Sequence, residues 1–275
     1  MLLVGLLFDG CEAAGHRDQS TNTYLYLSHT RADELSNDLI AGVAAVDYHR
    51  YDMRWLGGDL LFRTSESEAS LRQLDDIFQL SNVSTLWSLG NHDCGDRALL
   101  GQFTQRPSFY SHHQNGITFL VLDTEVTANQ IEGAQLELFQ QVCDTLSRST
   151  HLILLHHHLL WLIDGAVLER QANEISNGPI GECRFCLRGQ NNFYSDLYPV
   201  LQRVRQKGIE VMCIGGDAGT HSVYFEHETA DGIRFMASGM NKERELEGEV
   251  VIFRHRQATG ELEWRPSILR VLPGH

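Results

Sequence analysis

The residues best equipped for chemistry in this chain fall into five short clusters. In order they are Ser28-His29-Thr30-Arg31, Gly57-Gly58-Asp59, Gly90-Asn91-His92-Asp93, His156-His157-His158 and Gly215-Gly216-Asp217-Ala218-Gly219. Carboxylate, amide and imidazole are hard or borderline donors, a set that suits Mn, Fe, Zn or Mg. A guanidinium stays protonated and cannot ligate a metal, yet it can grip a phosphate through two parallel hydrogen bonds. Metal or phosphate binding is the chemistry these types support, provided the chain brings the clusters together.

Each cluster closes an apolar run. Strand-like stretches cover 23–28, 53–58, 84–90, 151–157 and 209–216, and the five clusters stand at their carboxyl ends. Between them, 32–46, 65–80, 131–149 and 195–208 carry helical spacing, the second with a serine cap and the last with a glycine stop. The runs 107–113 and 116–124 meet at Gln114-Asn115-Gly116, a hairpin signal. From 220 onward four short runs read as antiparallel strands. Repeated βα units followed by antiparallel strands predict a mixed α/β sheet system with helices on its faces. In such folds functional residues gather at the carboxyl ends of strands. Residues 1–22 read as a tail, 23–275 as one domain, and about 165–194, where periodicity is weakest, as an insertion or lid.

The five clusters, in this order, resemble the calcineurin-like metallophosphoesterase family. Its signature reads D-x-H, G-D, G-N-H-D or G-N-H-E, a His, and G-H-x-H. The resemblance spans about 23–256 and includes the softer 121–124 and 133–135 segments. It implies a four-layer sandwich of two mixed β-sheets flanked by helices, with a two-metal centre. It further implies that Asp59 bridges the metals, that Asn91 ligates the second, and that His92 assists at the transferring phosphate. Asp93 would orient His92 or its loop, and His156 would be the single His ligand, with His157 the alternative if the register slips by one.

Two motifs depart from the family. His29-Thr30-Arg31 stands where it has D-x-H, and Gly216-Asp217-Ala218-Gly219 where it has G-H-x-H. The second metal site keeps Asp59, Asn91 and His156 and gains Asp217, whereas the first retains only Asp59 and His29. His29 is either a ligand or a hydrogen-bond partner of Asp59, and His221 could refill the lost histidine. Arg31 puts a fixed positive charge where the first ion would lie. The expectation is a phosphoesterase for mono- or diesters with one divalent ion, Arg31 replacing the other, and Arg63 as a second phosphate clamp or a solvated arginine. The alternative expectation is a non-catalytic metal- or ligand-binding relative.

Composition narrows the partners. The chain has 275 residues, is 42% hydrophobic and carries a formal net charge of -14, which disfavours duplex nucleic acid and anionic membranes; the small-molecule phosphate ester is what the resemblance implies, and at this charge it needs a local positive centre. No apolar run reaches membrane-spanning length. The apolar start, residues 1–8, is compatible with a signal remnant, while cysteine usage mildly favours the cytosol. Cys183 and Cys186 have zinc half-site spacing without a second pair, so a loop disulfide or free thiols are expected rather than a structural zinc. His158 reads as a supporting or lid residue, and 242–249 as a solvated acidic loop.

Overall fold

The computed structural model describes residues 21–165, 168–182, 186–241, 243, 250–272 and 274. Residues 1–20 of the expected tail, Cys183 and most of the acidic stretch 242–249 lie outside them. No helix among the described residues is long and apolar enough to cross a membrane.

Among the described residues eleven strands form two sheets, with five α-helices in the longer connections. The first sheet has the order β11 (Glu261–Ser267), β10 (Val250–Arg256), β1 (Thr21–Leu27), β2 (Met53–Leu56), β3 (Thr85–Trp87). The second has the order β4 (Tyr110–Gln114), β5 (Ile117–Val121), β6 (His151–His156), β7 (Glu210–Gly215), β9 (Ile233–Ser238), β8 (Tyr224–Glu228). Strands β1, β2 and β3 run parallel, as do β5, β6, β7 and β9, while the outer pairs are antiparallel. This is the mixed two-sheet α/β architecture expected from the chain.

The inner strands β2, β5 and β6 are buried along their whole length because both of their faces are covered. In β1, Tyr24 and Tyr26 point between the sheets, whereas Leu25 and Leu27 pack outward, the alternation of a period-two strand. Trp55 fills the middle, with its ring 4.5 Å from Phe253 and 5.1 Å from Phe119 across the sandwich. Helices α3 (Gly133–Thr145) and α5 (Tyr198–Gln206) cover the outside of the six-stranded sheet, and α1 (Glu68–Phe78) covers the other. The Ser67 side chain caps α1 by accepting from Ser70 N–H, and Asp96 does the same for α2 (Arg97–Thr104) at Leu99. A short α4 (Ala172–Ile175) lies in the 165–194 insertion.

The helix expected over 32–46 is absent. That stretch folds as turns, with a single bridge between Arg31 and Leu39 and one 3-10 turn at Val43–Ala45. Asp33 Oδ1 takes Leu35 N–H and Ser36 Oγ takes Asp38 N–H, so short polar side chains satisfy the backbone groups a helix would use. Gly42, at φ 98°, ends any helical continuation.

Candidate metal centre

All five sequence clusters meet at one edge of the sandwich, between the two sheets. Close approach of the loops makes this possible. A Cβ on Gly58 would lie 2.6 Å from Gly90 N and 2.7 Å from His157 Nδ1, and Gly58 also needs φ 92°. A Cβ on Gly216 would collide with the Gly57 carbonyl, so glycine at both positions lets the sheets touch.

Asp93 ties the loops after β2 and β3 together. Its Oδ2 accepts Asp59 N–H at 2.7 Å and Gly90 N–H at 2.8 Å, and its Oδ1 accepts Leu60 N–H at 3.1 Å and the Thr64 hydroxyl at 2.6 Å. Burial, with the nearby Asp59 charge, pushes its carboxyl up to about 6, against the pull of those donors. Asp93 thus orients the loop that carries Asp59 rather than the His92 ring.

Asp59 is the hub. It is 1% exposed and, at φ 55°, left-handed. Arg31 Nη1 donates to Oδ2 at 3.0 Å and His92 N–H to Oδ1 at 3.0 Å. Three imidazole nitrogens stand around the carboxylate: His157 Nε2 at 3.6 Å, His29 Nε2 at 3.7 Å and His92 Nε2 at 3.9 Å. Burial alone would raise its pKa, but the surrounding positive charge, of which the Arg31 guanidinium is the permanent part, holds it well below the usual carboxylate range.

His157, not His156, reaches this hub. Along β6, Leu152 and Leu154 face the outer helices and Ile153 and Leu155 face the other sheet. Continuing that alternation turns His156 outward, where its Nδ1 lies 2.7 Å from the His158 carbonyl, and turns His157 inward. His157 Nδ1 donates to the Gly57 carbonyl at 2.7 Å, which leaves the Nε2 lone pair facing Asp59. That nitrogen is buried and has no hydrogen-bond partner. Carbonyl-held Nδ1 with free Nε2 is how a metal-ligating histidine is commonly oriented.

His29 stacks on His157 with ring centroids 5.5 Å apart, and burial lowers its pKa to about 3, so it is neutral. Its Nε2 also lies 3.9 Å from Asp217 Oδ1 and receives the Asn177 amide at 2.9 Å. Asn177 is held by Ala218 O on one side and Thr220 N–H on the other. Asp217 Oδ2 accepts from His158 Nδ1 at 3.1 Å and Ser176 Oγ at 3.2 Å. His158 Nε2 meets Glu125 Oε1 at 2.9 Å. Burial would depress His158, yet the two carboxylates overcome that and raise it to about 10, so it is an imidazolium with both nitrogens committed.

Two groups of ligand-type side chains are close enough to hold a cation among the described residues: His29, Asp59 and His157, and His157, His158 and Asp217. In the second, both ring nitrogens of His158 already have carboxylate partners, Asp217 and Glu125. The first fits a divalent ion once the Asn177 amide gives up His29 Nε2, with Asp217 Oδ1 at its side. Asn91 and His92 line an adjacent cleft of about 700 Å³ together with Arg63, whose guanidinium lies over the Phe62 ring and 3.7 Å from Glu66. His221 is exposed.

The insertion supplies what the motifs do not reveal. Ser176 and Asn177 carry no motif of their own, and the polar pair directly after α4 is their only signal. Cys186, from the same segment, lines the cleft and is disulfide-bonded.

No protein-family model matches the chain. No curated protein matches it either. Among solved structures it is similar to a dimetal phosphatase from Danio rerio, with 9% identity over 90% of this chain and 96% of that one and a TM-score of 0.48. It is also similar to a metallophosphoesterase from Sphaerobacter thermophilus, with 9% identity over 89% and 88% of the two chains and a TM-score of 0.34. The chemistry of the centre is therefore read from its own geometry.

Proposed function

We propose that this centre binds one divalent ion and hydrolyses phosphate esters, with Arg31 standing in for a second ion. The observation that carries the reading is the buried, unpartnered His157 Nε2 facing Asp59, beside a guanidinium that already neutralises that carboxylate. Asp59, His157 and His29 would hold the ion, and Asp217 Oδ1 would complete its surroundings. A divalent ion there supplies Lewis acidity toward a phosphoryl oxygen and acidifies water.

The remaining roles belong to side chains of the chain itself. Arg31 is 12% exposed and spends one N–H on Asp59, so other N–H groups of the fork can meet phosphoryl oxygens. His92 Nδ1 is 3.0 Å from the Phe62 carbonyl, which assigns the Nδ1 proton and leaves Nε2 toward the cleft. Burial lowers its pKa, so a proton taken up at Nε2 is readily given to a leaving oxygen. Asp93 holds Asp59 in place through the backbone.

A second reading has its own observation. Asp59 Oδ2 is engaged by Arg31, and Asp217 Oδ2 by His158, as in a site whose charges are already balanced without any ion. That pattern suits a non-catalytic binding module. Release of 4-nitrophenol from 4-nitrophenyl phosphate and from its bis ester, with Mn2+, Zn2+ or Mg2+ supplied, separates the two. Hydrolysis that falls about 100- to 1,000-fold in Arg31→Ala supports the enzyme. No turnover with any ion leaves the binding module.

A further inference from the structure

The centre opens on two clefts of similar size and opposite charge. One, of about 700 Å³, is walled by Asn91 and His92 and carries Arg63, Arg97 and Arg188. The other, of about 670 Å³, opens on His29 and Arg31 and carries Asp33, Glu34 and Glu243. The three arginines come from separate parts of the chain: the loop after β2, the first turn of α2, and the insertion. For a chain of net charge -14, that is a local concentration of cation.

The carboxylates in the arginine cleft are engaged within it. Glu125 is bound to His158 at 2.9 Å, and Glu66 lies 3.7 Å from Arg63. Asp123, fully buried beneath Arg97, takes its guanidinium at 2.5 and 3.4 Å and fixes the direction of the fork. Arg188 also lines the cleft, its backbone N–H held by Asn129 Oδ1 at 2.8 Å. The cleft falls within the size of ordinary small-ligand pockets, roughly 300–1,000 Å³, and leaves room beyond one phosphate.

We propose that this cleft is a subsite for a second anionic group, so that the substrate is a small phosphate ester that also carries a distal phosphate or carboxylate. This rests on the phosphoester reading above. The scissile phosphate lies against Arg31 and His92, and the distal anion among Arg63, Arg97 and Arg188. Guanidinium forks match both anions in geometry. The acidic cleft repels the same group, so the difference between the two mouths sets the orientation of the substrate.

The test compares fructose 6-phosphate, fructose 1,6-bisphosphate and 6-phosphogluconate on the intact protein supplied with Mn2+, as kcat/KM for phosphate release. The expected result is a kcat/KM at least about tenfold higher for a doubly anionic ester than for fructose 6-phosphate, a ratio reduced towards one in Arg188→Gln and in Arg63→Gln and weakened by salt. Which of the bisphosphate and the phosphogluconate gains more decides between a phosphate and a carboxylate subsite. Equal values for all three, while 4-nitrophenyl phosphate is hydrolysed, would overturn the subsite and leave the phosphoester reading intact. If no ester is hydrolysed, that reading fails, and the subsite is judged by dissociation constants from titration calorimetry. There, tenfold tighter binding of a doubly anionic ligand that is lost in Arg188→Gln upholds it, and equal binding refutes it.

Discussion

Arg31 and Asp59 form the pair on which the account turns, because each depends on the other for burial. Asp59 is 1% exposed and Arg31 donates to it at 3.0 Å. Removing the guanidinium in Arg31→Ala leaves a buried carboxylate without its cation, at a cost of about 3–5 kcal/mol. In chelator-treated protein the expected outcome is a clear drop in Tm for Arg31→Ala, and Mn2+ should restore more of it than it adds to the native protein. A drop that no divalent ion relieves would remove the electrostatic equivalence of arginine and ion. The register of β6 gives a second expectation. His157→Gln should abolish metal binding by calorimetry, while His156→Gln, pointing to the outer layer, should retain it within a few fold. At this scale the Asp59, His29, Arg31 and Asp217 clusters were legible as motifs. The choice between His156 and His157 was not, because Leu152 to Leu155 are apolar on both faces and carry no sign of which face meets the other sheet.

Elements fix how tightly the site is held, and Asp93 is the clearest case. It joins the loops after β2 and β3 through three backbone N–H groups and Thr64. Asp93→Asn turns an amide NH2 toward at least one backbone N–H, which can only donate, at about 1–3 kcal/mol for each donor left unpaired. Denaturant unfolding should show a lower midpoint with an unchanged slope. A midpoint within error of native would mean that the loops are held by packing alone. The βα units and the hairpin at Asn115-Gly116, with φ 55° and 81°, were legible because periodicity and turn chemistry agree there. Two elements were misread or missed for physical reasons. Residues 32–46 have helical spacing, but Asp33 and Ser36 bond their own backbone and Gly42 breaks the turn. The insertion has no period, so its delivery of Ser176 and Asn177 to Asp217 and His29 emerges only once the chain is folded.

The whole molecule is a sandwich with the candidate metal centre at one edge and a different polar cluster elsewhere in the fold. His151 begins β6 and lies 6.2 Å from the His255 ring, and burial, with that neighbour, lowers its pKa to about 4. His255 is lowered as well, also by burial. A histidine depressed in the folded state contributes stability that is present above its unfolded value, about 6.5, and is lost as pH falls toward 4, because the unfolded chain binds the proton first. Tm should therefore fall between about pH 6.5 and 4, and less steeply in His151→Gln; an identical slope in the variant would exclude this pair as the cause. The mixed α/β plan was legible from the alternation of strands and helices, whereas its division into two sheets came only from the resemblance of the five clusters to a known family. The charge difference between the two clefts was not, since it depends on which loops fold to which mouth. The decisive measurement is the metal content of the native protein and of Asp59→Ala after loading with Mn2+ or Zn2+ and removal of excess, by elemental analysis. One ion per chain in the native protein and none in Asp59→Ala is the result this account requires. Two ions per chain would contradict the role given to Arg31, and none under any loading would contradict the metal centre itself.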